Sequence, residues 1–328
     1  MKKNPITITF FILSFLIISS FCSPAYSQNS KKELIRYGDF NNWVTRNIKE
    51  SHIIGGDTKQ VFEIGPTQTI NGDKAYVNLG GSPWATSNVM AKVCGITKTS
   101  NAIFPEERTP GNLCAKLTTR IENCKAIGII NIDVVVAGSM FLGQMFEPLK
   151  STSDPYTKME MGVPFTKRPK ALVFDYKLYI PDNGTRIYSS GFGSKKTLPG
   201  SDQAEVFVYL QRRWEDADGN LYAKRVGTGR ELLSKSTTGW VNNHHLEIHY
   251  GDISGEDFYK PYMSLMSSEK SYCARNSRGK NVPVKEVGWD SPDATPTHIM
   301  IMFSAGSGEP YVGTVGTEFL VDNVSLEY

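Results

Sequence analysis

Glu205, Phe207, Tyr209 and Gln211 alternate with Val206, Val208 and Leu210, the two-residue period of an antiparallel strand with one face buried. Comparable stretches recur at 74–79, 115–120, 127–136, 171–180, 204–212, 221–225, 245–250 and 298–303, rich in Val, Ile, Tyr and Phe. Gly, Pro, Asn and Asp punctuate them, and 29 glycines with 17 prolines supply the turns that many strands need. Two further segments read as short strands: residues 36–43 and residues 321–328, where Val324, Leu326 and Tyr328 make one face mainly apolar. A chain that stops on a strand residue is expected to tie that end into a sheet, here beside the 36–43 segment. Helical turns are expected only within 254–268 and 230–234, and no period of 20 to 50 residues marks a repeat array. The prediction is an all-β fold, a jelly-roll β-sandwich, built as one domain over 28–328.

Residues 1–27 read as an export leader rather than structure. Lys2 and Lys3 form its basic start, 8–18 its apolar run, and Ala25-Tyr26-Ser27 a small-residue cleavage site. The run is too short for a membrane span. Lipidation at Cys22 would need a small residue where Phe21 stands. Periplasm, cell surface or extracellular space are the expected locations. Loss of Lys2 and Lys3 with the leader lowers the formal charge from +3 to +1, which points away from nucleic acid and anionic membrane as partners. Cys94, Cys114, Cys124 and Cys273 remain, either as disulfides in an oxidising compartment or as buried thiols in a large core.

One resemblance adds to this. Ala137-Gly138-Ser139-Met140-Phe141-Leu142-Gly143 and Gly162-Val163-Pro164-Phe165-Thr166-Lys167-Arg168-Pro169 carry it, followed by 171–177 with its Phe-Asp-Tyr-Lys core. Asp202-Gln203-Ala204-Glu205-Val206 and the 313–328 segment complete it. From about residue 112 onward, and more loosely from Gly38, the chain resembles the putative carbohydrate metabolism domain family of exported Bacteroidetes proteins. The likeness implies a jelly roll similar to carbohydrate-binding modules and some glycoside hydrolases, with a poly- or oligosaccharide partner and no defined mechanism. Unlike many relatives, the chain shows no separate immunoglobulin-like segment before the module.

Sugar recognition needs flat apolar faces for pyranose C–H groups and planar polar groups for hydroxyls. Trp84, Trp289 and Tyr311 stand in glycine- and proline-rich segments that could present a ring, while Trp43 and Trp240 suit a core and Trp214 sits at a hairpin. Arg168, held extended before Pro169, offers a guanidinium fork. A glycosidase would need two carboxylates, one kept protonated, and Asp175 and Glu205 are the acids with apolar strand neighbours. The leading expectation is non-catalytic glycan binding, ahead of a hydrolase or lyase and of an envelope adhesin. His245, Glu247 and His249 share one face of a strand as a zinc alternative to a solvated surface. No cofactor is required. A structural Ca²⁺ near Asp39 or Asp322 is compatible with the jelly-roll resemblance, whereas Asp216-Ala217-Asp218-Gly219-Asn220 reads as a hairpin turn.

Overall fold

Alternation of side chains along extended backbone is what the chain uses to build its layers, and a computed structural model displays them. It describes residues 31–328 except 52–56, 94, 127–129, 151–154, 192, 268–270 and 308–309, and except the side chains of 93, 124–126, 130–131 and 155. The leader at 1–27, Cys22, Cys94 and the Cys124 side chain therefore lie outside the described residues. Residues 31–328 form one unit by their contacts. The fold is all-β: among the described residues the helical elements are two short 3₁₀ turns, Pro155–Lys158 and Pro261–Met263. The second falls inside the 254–268 segment, whereas 230–233 continues the Leu221–Leu233 strand instead of turning helical.

A seven-stranded sheet runs in the order Ile130–Ala137, Asn112–Ala126, Glu318–Glu327, Ala171–Tyr179, Val241–Glu247, with Lys32–Leu34 and Ile103–Thr109 added at its sides. Its inner face meets a ten-stranded sheet across a core that includes Phe174, Leu178, Phe319, Val321 and Val324 from one layer and Val206, Val208, Ile301 and Phe303 from the other. The first described strand does lie beside the last, Lys32–Leu34 pairing with Glu318–Glu327. Residues 36–43 are not the strand expected of them. They turn tightly, with Tyr37 and Phe40 at positive φ, so that Val324 N donates to the Gly38 carbonyl at 2.8 Å. The 74–79 segment also forms no ladder; its Tyr76 and Asn78 amides donate instead to the Glu147 and Gln144 side chains.

The larger sheet does not stay open. Its pairings pass from His298–Ser304 to Ala204–Glu215, Leu221–Leu233, Asn281–Trp289, Cys273–Arg275, Met159–Met161 and Ser139–Met145, and from there back to His298–Ser304. Phe141, Met159, Met161, Phe207, Tyr209, Tyr272, Met300 and Met302 fill a second core. Ala204–Glu215 is consequently buried on both faces over 204–211, not on one: even positions enter the first core, while Phe207 and Tyr209 enter the second and Glu205 and Gln211 are buried polar groups beside them. Gly143, at φ 149° with the Glu160 carbonyl where a Cβ would stand, lets Ser139–Met145 pass from Trp84–Thr86 to Met159–Met161. Among the described cysteines, Cys114 and Cys273 are buried free thiols.

Candidate functional site

Where the second core meets the outside, the register lines polar residues across neighbouring strands. Glu205 stands opposite Ser304, and Ser304 opposite Ser139. Ser87 extends the row, because Ser139 N donates to its Oγ at 3.0 Å and Ser87 N donates to the Ser139 carbonyl at 2.8 Å. Ser139 Oγ donates to Ser304 Oγ at 2.8 Å. Gly138, just before Ser139, lies tight against the Ala102 carbonyl, which any Cβ there would meet. These four residues line the floor of a cavity of about 330 Å³, within the ~300–1,000 Å³ span of small-molecule sites.

Glu205 is 5% exposed and ion-paired to Arg230 at 2.5 Å. Burial pushes its carboxyl above the usual range, against the pull of Arg230. At the same end, Tyr272 and Tyr156 meet edge to face with centroids 5.4 Å apart, beside Met159 and Met302. Tyr311, whose backbone sits at φ 67°, also lines the cavity, as does Glu122. Burial raises the Glu122 carboxyl too, although Arg120 lies 3.1 Å away. The rest of the lining is mixed: Val89, Ala91, Leu149, Ile132, Val134 and Val136 are aliphatic, while Lys98, Thr99, Ser100 and Asn123 add polar groups.

Of the residues singled out in the sequence, Glu205 and Tyr311 are thus brought to one cavity. The others go elsewhere. Trp84 presents no ring to solvent: it is 0% exposed, packs on Phe40 and Phe303, and donates from Nε1 to the Arg36 carbonyl at 3.0 Å. The Arg168 fork is already used internally, lying 4.0 Å over the Tyr250 ring and donating to the Pro292 and Ala294 carbonyls. Trp289 is half-buried at the end of Asn281–Trp289, 5.8 Å from Arg225, away from the cavity lining. Trp43 is a core residue, Trp240 lies under the Arg108 guanidinium at 4.1 Å, and Trp214 stacks on Tyr222 at the hairpin.

Asp175 and Glu205 do not form a catalytic pair, because they belong to different sheets with separate arginines. Burial alone would raise the Asp175 carboxyl, but donation from Asn243 N, Asn323 and Arg108 holds it below the usual range. Arg108 Nη1 bridges Asp175 and Asp322 at 2.8 and 2.7 Å. The zinc alternative also comes apart. The expected strand breaks at Ile248: His245 stays on Val241–Glu247 and meets Glu327 at 2.8 Å, while His249 pairs with Leu221–Leu233 and stacks on Phe258, its Nε2 4.0 Å from Glu247. Asp322 is held by Arg108 and Asn112. Among the described residues no group of three or more His, Cys, Asp or Glu is placed to hold a metal ion. Asp216 accepts from Asp218 N and Asn220 N, the hairpin turn expected there.

Ser87, Ser139, Ser304, Tyr156, Tyr272 and Glu122 were not singled out by the sequence. Ser139 and Glu205 nevertheless belong to two of the segments that carry the family resemblance, 137–143 and 202–206. Among the described residues no helix is long and apolar enough to cross a membrane.

No curated protein matches the chain. A solved structure of a putative glycoside hydrolase from Bacteroides thetaiotaomicron is similar over 84% of this chain and 81% of its own, at 17% identity and a TM-score of 0.44, too distant to define a shared fold. The family model described as "Putative carbohydrate metabolism domain" matches residues 62–327, most of the chain. Its function is therefore carbohydrate-related, and the chain belongs to the putative carbohydrate metabolism domain family.

Proposed function

We propose that this is an exported, non-catalytic saccharide-binding protein whose site is the cavity over the Ser87–Ser139–Ser304–Glu205 row. The observation that carries the reading is that row: hydroxyls and a carboxylate from four neighbouring segments on one floor, beside two tyrosines. Such a floor can exchange hydrogen bonds with a sugar's hydroxyls while Tyr156 and Tyr272 exclude water from its C–H side. Binding is favoured over hydrolysis because Glu205 is held by Arg230 and Asp175 lies on the other sheet. A glycan array followed by titration calorimetry tests this. The expected result is a bound glycan whose affinity falls at least tenfold in Glu205→Gln and in Tyr156→Ala; an array without any bound glycan would refute it.

A second reading has one specific observation behind it. Glu122 and Glu205 line the same cavity, and burial raises both carboxyls, as a general acid requires. Release of new reducing ends that disappears in both Glu122→Gln and Glu205→Gln would establish a hydrolase.

A further inference from the structure

The cavity has two chemically different halves. Around Glu205, Ser304 and Ser139 it is polar. Elsewhere the lining is mainly apolar and holds an aliphatic slot with Ala91, Leu149, Ile132, Val134 and Val136, among the polar residues Lys98, Thr99, Ser100, Glu122 and Asn123. Ala91 bridges Leu149, locked by Lys92 N to the Leu149 carbonyl at 2.8 Å and Leu149 N to the Met90 carbonyl at 3.0 Å. Ile132, Val134 and Val136, alternate residues of Ile130–Ala137, also line it, as does Val135.

This slot suits neither a bare sugar ring nor a stacked one. It lacks an aromatic face for pyranose C–H groups, and a hydroxyl facing these methyl groups would lose its water without gaining a partner. A short methyl-terminated substituent fits both demands: its carbonyl end can reach the polar floor while its methyl leaves water against Ala91, Leu149 and Val134. Resting on the saccharide-binding reading, we infer that the site recognises an acylated sugar, one carrying an acetyl ester or acetamide, with the acyl group in the aliphatic slot and the ring over the Ser139–Ser304–Glu205 floor.

The test measures binding of four oligosaccharide sets by calorimetry: O-acetylated xylo-oligosaccharides, the same after alkaline de-esterification, chitin oligomers, and fully deacetylated chitosan oligomers. One methyl removed from water corresponds to roughly a three- to tenfold preference for the acetylated member of a pair. The ester and amide arms distinguish the two sources of the acyl group. Ala91→Phe, which fills the slot, should abolish the preference but keep weak binding to the floor. Val134→Thr, nearly the same volume, should reduce it several-fold in a protein that still folds, with only a modest fall in melting temperature. Equal binding of acetylated and deacetylated partners, or a preference that survives Ala91→Phe, overturns the inference and leaves saccharide binding standing. Failure of every set, with no other glycan bound on an array, overturns both.

Discussion

Replacing Glu63 by glutamine should abolish a loss of stability that the wild-type protein suffers as pH rises. Arg46 has a side chain only 2% exposed and lies between two buried carboxylates, 2.8 Å from Glu63 and 2.6 Å from Glu147. Glu147 also accepts from Tyr76 N at 3.0 Å and Met90 N at 2.6 Å. One cation cannot neutralise both acids, so one acid keeps a proton. That acid is Glu63: burial is the largest cause, Arg46 opposes it, Glu147 adds to it, and the carboxyl is pushed from 4.5 to about 8. A raised folded-state value means that the folded protein holds this proton more tightly than the unfolded chain. The stabilisation is complete below 4.5 and is lost as pH climbs to about 8. At ~1.4 kcal/mol per pH unit the ceiling is on the order of 5 kcal/mol, and water entry at the opened pair will reduce it to ~2–3. Glutamine has the shape of the protonated acid, accepts from Arg46 and faces Thr86 Oγ1, which lies 2.8 Å from Glu63 Oε2. Urea unfolding followed by fluorescence of the five tryptophans, at pH 5, 7 and 9, is the assay. Expected are near-equal stabilities at pH 5 and a Glu63→Gln protein about 2 kcal/mol the more stable at pH 9. Parallel pH curves for the two proteins would show that Glu63 is ionised throughout and refute the reasoning.

Arg225 and Glu286 are paired at 2.5 Å with both side chains 0% exposed, so Glu286→Ala should cost about 3–5 kcal/mol in chemical denaturation, and Arg225→Met with Glu286→Leu should recover most of it. A double variant as unstable as the single one would contradict this. Gly143→Ala forces a side chain into the Glu160 carbonyl at φ 149°, and a melting curve should register a loss of at least ~2 kcal/mol. Cys114, pushed to about 12 by burial, and Cys273, also raised by burial, should resist alkylation in the native protein and react only in denaturant, as peptide mapping by mass spectrometry would reveal. Trp214→Ala should change stability by about 1 kcal/mol or less, the scale of an exposed cross-strand pair, and leave glycan binding intact.

The fold class was legible because strand periodicity is local: Ala171–Tyr179 and His298–Ser304 form nearly where the apolar runs stand. The double burial of 204–211 was not, since Glu205 and Gln211 look like solvent-facing positions until a second layer covers them. Glu205 and Gln211 are satisfied there by Arg230 and Glu286, partners more than twenty residues away that no periodicity reveals. Trp84 misled for the opposite reason: its glycine-rich neighbourhood suggested display, but the turn at 79–82 delivers the indole into the core. The serine row is the clearest case of information held only in register. Ser87, Ser139 and Ser304 are unremarkable singly and become a surface only when two ladders bring them level.

The shared strand at 204–211 also bears on how the molecule comes apart. Its backbone is a party wall: peeling it from either apolar chamber strips the other, so neither chamber can melt by itself without breaking this wall. Amide protons along it should therefore exchange with deuterium only through global opening, at one common protection level, while the peripheral Gln68–Asn71 strand, largely exposed, exchanges by local fraying.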